Sequence, residues 1–189
     1  MSKGFETLKD FKVKEGGDGN FSYYDECGNV KKELFNEIAE KEAIILAEAE
    51  DIDKARKMAG RREFRKACNL VEKGKLTTTQ VRKFYDDLKS IEKQMELSNE
   101  NGKREKFERL LPLIKMLRTK AFYAKARDNV TDHFVNFIER NISLVNTPRD
   151  LEQFSKYFES VLGFFRYYEE QKKQLSKQWQ DELKREKRR

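Results

Sequence analysis

A run of positively charged side chains between residues 115 and 127 is the part of this sequence best suited to chemistry. Five cations fall within thirteen residues there, and no Asp or Glu interrupts them before Asp128. Two further cations, Arg82 and Lys83, lie beside an apolar helical stripe earlier in the chain. Lys and Arg neutralise phosphate groups irrespective of base sequence. The candidate set for nucleic-acid binding is Arg82, Lys83, Lys115, Arg118, Lys120, Lys125 and Arg127.

Each cation of this set has an alternative interpretation as a solvated surface charge. Arg127 has a further one, because at its position it could cap a helix or pair with the adjacent Asp128. Tyr123 precedes Arg127 by four residues, and we expect it in the core rather than on the surface as a platform for base stacking.

The distribution of charge along the chain supports a polyanionic partner. Among its 189 residues the chain has 41 Lys and Arg against 34 Asp and Glu, a net charge of +7. Residues 1–60 hold 10 cations and 14 acids, so the remainder holds 31 cations and 20 acids. Such an asymmetry suggests that the later part of the chain meets a polyanion, for which nucleic acid is the default. A basic protein without such a partner remains the alternative.

Residue patterns for catalysis are weak throughout the sequence. The single histidine, His133, lies at the edge of an apolar stripe, and no Cys, His and Asp cluster has metal-ligand spacing. The glycine-rich stretch EGGDGN lacks the Lys-Ser/Thr pair of a phosphate-binding loop. Asp86 and Asp87 are adjacent and so point in different directions on a helix. We therefore predict no enzyme, no cofactor and no metal, with a metal site made only of acids as the remaining alternative.

Two helices must position these cations. Thr77 followed by Gln80 is a capping-box pattern that opens the first of them. Pro112 in the second indicates a kink or a new start, because proline lacks the amide that a helix interior uses. The apolar positions expected to face the core are Val81, Phe84, Leu88, Ile91 and Met95 in the first helix, and Leu113, Leu117, Phe122 and Tyr123 in the second.

Apolar residues three and four positions apart predict four further helical segments. Thr147 is the expected N-cap of the last one, with Asp150 favouring its positive end. A loop is predicted over Ser98–Lys103 from its turn-forming residues. The predicted helical ranges are Lys31 to about Met58, 61–72 with a cap at Gly74, Asp128–Val145, and Pro148 towards the terminus.

The last helix is apolar almost all round between Tyr157 and Tyr168. A segment of this kind is buried on more than one side, either centrally in a bundle or against a second chain. Beyond Glu169 the apolar stripe thins, so the basic end of the helix is expected to project. The candidate interface residues are Tyr157, Phe158, Val161, Phe164, Phe165 and Tyr168.

Composition favours an all-α fold: a compact bundle of about five to six helices with an N-terminal extension and a projecting C-terminal helix. The chain has only 2 Pro and 9 Gly, and this low content argues against a β fold with many turns. No apolar stretch reaches the roughly 20 residues of a membrane span, so we expect a cytoplasmic protein with reduced cysteines. The expected segments are 1–30, poorly ordered or loosely packed; 31–73, a helical extension; 75–170, the bundle; and 171–189, a basic helical tail.

Four stretches in order resemble the small subunit of type III-A CRISPR–Cas effector complexes, the Csm complexes. They are KLTTTQVRKFYDDL, LLPLIKMLRTKAFYAKAR, DHFVNFIERNI and LEQFSKYFESVLGFFRYY, and together they cover about residues 75–170. Arg82 and Arg127 match the family pattern. The chain departs from that pattern in its long N-terminal part and in RYYEEQKK at the closing motif.

The resemblance implies a non-catalytic subunit of an RNA-guided antiviral ribonucleoprotein. Family members are small helical bundles that stack in several copies beside the guide-binding subunits. Their basic faces hold the guide–target RNA duplex through its backbone. The partners implied are guide RNA, target RNA, other subunits of the complex and further copies of the chain. The alternative is a helical adaptor that binds an acidic protein through Leu175, Trp179, Leu183 and the Lys31–Met58 helix.

Overall fold

The computed structural model describes residues 21–71, 74, 76–96 and 102–188. These residues form seven α-helices, and a π-helical turn at Leu34–Ile38 leads into the first. The only β-type pairing in the described part is a single bridge between Tyr24 and Val30. The predicted all-α class is confirmed. The helices are α1 (Ala39–Leu46), α2 (Ile52–Gly60), α3 (Phe64–Leu70), α4 (Thr78–Glu96), α5 (Lys103–Ala126), α6 (Asp132–Leu144) and α7 (Pro148–Lys187).

Helix α7 is the centre of the arrangement. Helices α1, α3 and α4 pack directly on it, while α5 packs mainly on α4 and α6. The Oγ1 of Thr78 donates to Glu169, and the Oγ of Ser155 donates to Glu92, so α4 and α7 run antiparallel. Helix α5 forms an outer layer over α4 and α6, with little direct contact to α7.

The apolar stripe of α7 is the core of the protein. Its members Leu151, Phe154, Phe158, Val161 and Phe165, which recur three and four positions apart, are all at most 1% exposed. Aromatic side chains of neighbouring helices pack against it in edge-on and tilted arrangements, which ring quadrupoles favour. The predicted stripe of α4 is buried as well: Val81, Phe84, Leu88, Ile91 and Met95. The apolar side chains of α6 and its flanks are also buried: Val130, Phe134, Phe137, Ile138, Ile142 and Val145.

Side-chain caps fix the starts of the helices as the sequence predicted. The Oγ1 of Thr77 accepts from the Gln80 amide at 3.4 Å, and the Thr77 amide donates to Gln80 Oε1 at 2.8 Å. Thr147 Oγ1 accepts from the Asp150 amide at 3.2 Å. Reciprocal bonds of this kind satisfy amides that a helix start leaves without partners.

The single helix predicted from Lys31 to about Met58 is wrong, because the chain breaks between α1 and α2. Glu48 has a positive φ of 51° at this break. The buried Lys172 of α7 donates to the carbonyls of Ala47 and Glu48 at 2.9 and 2.8 Å. Carbonyls at the end of α1, which a helix terminus leaves without partners, therefore accept from a side chain that only the tertiary structure brings near.

Three other boundaries differ from the sequence-based expectation. Helix α6 begins at Asp132 rather than Asp128, because Asp128 has a φ of 54° and Thr131 supplies the cap. Helix α3 ends at Leu70, before Gly74. Pro112 lies inside the continuous α5 on its exposed side, so it does not start a new helix. The middle of the predicted Ser98–Lys103 loop lies outside the described residues.

Residues 21–30 pack more closely on the bundle than the sequence indicated. Tyr23 is 2% exposed and donates to Asn141 Oδ1 at 2.8 Å. Arg140 lies 4.3 Å from the ring centroid of Phe21, a cation–π contact. These contacts attach the segment to α6. Residues 1–20 lie outside the described residues, and the division of the chain into four segments stays a prediction.

The long C-terminal helix is confirmed, and its apolar residues are used inside the chain. Trp179 is 4% exposed, and with Leu175 and Phe64 it lines a groove between the end of α7 and the α2–α3 region. Two of the contacts assigned to the adaptor alternative, Trp179 and the unbroken Lys31–Met58 helix, are therefore not available as a free surface.

Candidate nucleic-acid interface

The cations of α5 flank its solvent-facing side. Lys115 Nζ donates to the Ile142 carbonyl at 3.1 Å, near the end of α6. Arg118 Nε donates to Glu139 Oε1 at 2.8 Å. Carbonyls at a helix C-terminus and acids on a neighbouring helix are ordinary partners for cations, so these two side chains also join α5 to α6.

Two other cations of α5 make ion pairs with neighbouring elements. Lys120 Nζ lies 2.8 Å from Asp87 Oδ2 on α4, and Lys125 Nζ lies 2.8 Å from Asp132 Oδ2 at the start of α6. The paired side chains are 34–62% exposed. Exposed pairs of this kind contribute about 0–1 kcal/mol, so a phosphate could replace the carboxylate at little cost.

Three candidate cations have no acidic partner among the described residues. Arg82 and Lys83 are exposed on α4 and make no hydrogen bond or ion pair there. Arg127 reaches only Tyr123, with its Nη1 donating to the hydroxyl at 3.3 Å and its guanidinium 5.6 Å from the ring centroid. These three are the cations best placed to take a phosphate.

Tyr123 contradicts its expected core position. The side chain is 64% exposed, and Leu113, also expected to face the core, is 43% exposed. Helix α5 buries a different stripe, which includes Phe107, Ile114 and Leu117. The expectation was wrong because α5 carries two apolar stripes, and periodicity alone does not say which of them meets the bundle.

Arg166 is a cation that the sequence-based prediction did not include. It is exposed on α7, one helical turn before Glu169, while Arg82 lies one turn after Thr78 on α4. Since Thr78 contacts Glu169, these turns place Arg82 and Arg166 beside the same α4–α7 groove. The sequence contained a signal for this residue, because Arg166 is the only cation in the largely apolar stretch between Tyr157 and Tyr168.

The six candidate interface residues divide between the core and the surface. Tyr157, Phe158, Val161 and Phe165 are 0% exposed in the chain's own core. This corresponds to the first of the two alternatives, a central place in the bundle. Burial and the neighbouring Glu42 raise the pKa of Tyr157. Only Phe164 and Tyr168 of the six keep part of their surface accessible.

The remaining titratable candidates show no arrangement for chemistry. In the described ranges no group of three His, Cys, Asp or Glu side chains is placed to hold a metal ion. His133 is exposed on α6, and Cys27 and Cys68 are free thiols. Burial raises the pKa of the Cys68 thiol. None of the helices in this part of the chain has an apolar stretch of the length that crossing a bilayer requires.

Fold and surface together define a class, a small all-α protein whose outer helix presents cations to solvent. Over residues 47–171, about two thirds of the chain, the sequence matches the family model described as Csm2 Type III-A. The chain therefore belongs to the Csm2 family, the small subunits of the multi-subunit type III-A CRISPR–Cas Csm complexes. No curated protein and no solved structure matches the chain.

The resemblance seen over residues 75–170 is thus confirmed and extended towards the N-terminus. The match begins at residue 47, so α2 and α3 lie inside the family region, although the sequence pattern had suggested that they belong to an extension. Residues 21–46, including α1, lie outside the match.

Proposed function

We propose that this chain is a non-catalytic, cytoplasmic small subunit that holds the guide–target RNA duplex of a type III CRISPR ribonucleoprotein through its basic face. Several copies stack along the complex, and other subunits supply guide binding and cleavage. The observation that supports the RNA contact is the exposure of Arg82, Lys83 and Arg127 without acidic partners in the described residues, on a chain of the Csm2 family.

Lys115, Arg118, Lys120 and Lys125 complete the proposed face. Each is held by a carbonyl or a carboxylate in the free protein, and three of these contacts are exposed ion pairs. Duplex phosphates would compete with those carboxylates, while Arg82, Lys83 and Arg127 need no such exchange. Contacts to the backbone carry no sequence information, so base pairing with the guide supplies specificity.

The first test is a tagged purification of the full chain from cells that also express its genomic neighbours. RNA that survives a wash at moderate salt is end-labelled and sized. We expect a discrete short guide RNA together with large partner subunits. A clean protein without RNA and without large partners would contradict the proposal and favour the adaptor alternative.

The second test locates the basic face. In the assembled complex, Arg82→Ala combined with Arg127→Ala should weaken retention of target RNA for every target sequence. The salt dependence of binding should fall by roughly one unit of slope for each phosphate that the variant no longer neutralises. The matched control is Lys54→Ala with Lys57→Ala on α2, which removes the same charge from a helix outside the proposed face. Equal losses in both double variants would show a general charge effect instead of a defined face.

A further inference from the structure

A cavity beside the second half of α7 is not used by the proposed function. It has a volume of about 220 Å³ and lies between α7 and the residues that follow α1 and α3. In liquid water each molecule takes up roughly 30 Å³, so this space corresponds to about seven waters and suits a small organic molecule. In the described part of the chain, none of the cations of the proposed RNA face lines it. We call it the Lys172 cavity.

One face of α7 forms the polar wall of the Lys172 cavity. The residues of this wall recur three and four positions apart, so they share one side of the helix. They are Glu169, Lys172, Lys173, Ser176, Lys177 and Gln180. Val71, Leu76 and Phe165 supply apolar side chains to the cavity, and each of these is at most 3% exposed. The cavity thus combines a charged wall with an apolar one.

Lys172 is the buried cation of the polar wall, and its ammonium group has one N–H donor to spare. The side chain is 4% exposed, and its Nζ donates to the carbonyls of Ala47 and Glu48 at 2.9 and 2.8 Å. An ammonium has three donors, so one N–H has no acceptor among the described residues. An anion in the cavity would supply that acceptor. Burial lowers the pKa of Lys172, and such an anion would raise it again.

Lys177 adds a second cation that is available to a ligand. It is exposed, lines the cavity and makes no hydrogen bond or ion pair with the described residues. The acid of the wall, Glu169, is already engaged, because it accepts from Thr78 Oγ1 at 2.5 Å and lies 3.2 Å from Lys173 Nζ. Three Lys against one Glu give the described wall a net charge of +2. The cavity therefore has donors and positive charge to offer, which favours an anionic ligand.

We propose that the Lys172 cavity binds a small phosphate monoester. The phosphate lies between the ammonium groups of Lys172 and Lys177, and the organic part lies against Val71, Leu76 and Phe165. A phosphate monoester has three acceptor oxygens and a charge of about −1.5 to −2 near pH 7, whereas a carboxylate has two oxygens and a single charge. Lys binds phosphate as a point charge, so two or three ammonium groups around one phosphate need no fixed fork geometry.

The polar wall is not carried over from the family. The family match ends at residue 171, so all of the wall after Glu169 lies beyond it. The site is thus a property of this chain's own C-terminal part. It requires neither RNA nor assembly with other subunits, and it can be measured on the protein alone.

Isothermal titration calorimetry of the isolated full chain with phenyl phosphate tests the site. This probe joins a phosphate to one apolar ring, and we expect one molecule to bind per chain. Inorganic phosphate lacks the ring and phenol lacks the charge. Each should bind more weakly by about tenfold or more, because each loses the contacts to one of the two walls.

A charge variant and a matched control locate the phosphate. Lys177→Gln removes a cation of the wall from an exposed position and should weaken binding of phenyl phosphate by about tenfold. Lys187→Gln removes an equally exposed cation of α7 that has no partner in the described residues and does not line the cavity there. This control should bind phenyl phosphate as the wild type does.

A second variant tests the cavity itself. Ser176→Leu places a larger side chain on the wall without changing the charge, so it should abolish binding of phenyl phosphate. Circular dichroism and the melting temperature show whether this variant is folded. If Ser176→Leu does not fold, Lys177→Gln and its control decide the question.

Several results would overturn the inference. Absence of binding at millimolar phenyl phosphate would do so directly. Equal losses in Lys177→Gln and Lys187→Gln would show attraction by net charge alone, and unchanged binding in a folded Ser176→Leu would place the probe outside the cavity. Equal affinities for inorganic phosphate and phenyl phosphate would show a simple anion site in which the apolar wall has no part.

Discussion

Helices α5 and α7 are the two longest in the described residues, with 24 and 40 residues. They differ in the solvent exposure of similar side chains. Helix α7 places its aromatic residues in the centre of the fold, where Phe154, Phe158 and Phe165 have no solvent exposure. Helix α5 lies on the outside and leaves Tyr123 and Met116 in solvent. Even the cations differ, since Lys172 of α7 is buried while Lys120 of α5 is exposed.

The difference shows how packing decides the use of a residue type. In α7 neighbours on more than one side remove apolar surface from water, and this burial stabilises the fold. In α5 only one stripe is covered, so the other remains available for binding. We therefore assign stability mainly to α7 and recognition mainly to α5, and matched substitutions in the two helices test that assignment.

The largest expected effect is on an aromatic residue of α7. Phe158→Ala should lower the free energy of unfolding by about 3–5 kcal/mol, because it removes a buried ring and leaves a cavity. Tyr123→Ala on α5 should change it by no more than about 0.5 kcal/mol. Urea denaturation followed by circular dichroism measures both. If Phe158→Ala fails to fold, Phe158→Leu gives a milder variant for the same comparison.

The second-largest loss of stability is expected when the buried cation of α7, Lys172, is replaced. Burial lowers the pKa of Lys172, against the opposing influence of Glu48 and Glu50, yet its ammonium serves two backbone carbonyls. Lys172→Met should therefore cost about 1–3 kcal/mol, because it leaves these carbonyls without their donor. The same change at the exposed Lys120 should cost about 0–1 kcal/mol. Equal costs at the two sites would contradict the distinction between the helices.

Local signals in the sequence were sufficient for much of the fold. The caps at Thr77 and Thr147 depend on residues three apart in the chain, so their pattern is visible without a structure. The buried stripe of α7 was equally clear, because its apolar members recur three and four positions apart along the chain. The break after α1 was not predictable, since it depends on Lys172, more than a hundred residues away.

The candidate site was harder to predict for a related reason. Charge counting selected the cations of α5, but it does not distinguish the paired cations from the unpaired ones. In the structure Arg118 donates to Glu139, whereas Arg127 has no acidic partner among the described residues. Tyr123 was misplaced because α5 has two apolar stripes of similar quality. Which of them faces outwards depends on how α4 and α6 pack, and this is tertiary information.

A pH-dependent effect should also be stronger for α7 than for α5. The hydrogen bond from Tyr168 to Glu40 Oε1 and partial burial raise the pKa of Tyr168 to about 12. Since the folded state favours the neutral phenol, this stabilisation is present below the ordinary tyrosine pKa of about 10 and is lost as the pH rises through about 12. Melting temperatures measured from pH 9 to 12 should fall, and less steeply in Tyr168→Phe. An unchanged slope would exclude Tyr168 as a source of the alkaline loss.

The smallest expected effect on stability concerns the ion pair between α5 and α6. Arg118 and Glu139 are 45% and 36% exposed, so Glu139→Gln should change the free energy of unfolding by only about 0–1 kcal/mol. In the assembled complex, however, the same change frees a cation of the proposed RNA face and should strengthen retention of target RNA. Glu105→Gln, which removes the exposed acid paired with Arg109 on α5, is the matched control for the lost negative charge. A gain in retention for Glu139→Gln alone would place Arg118 at the RNA, whereas equal gains would indicate only the change in net charge.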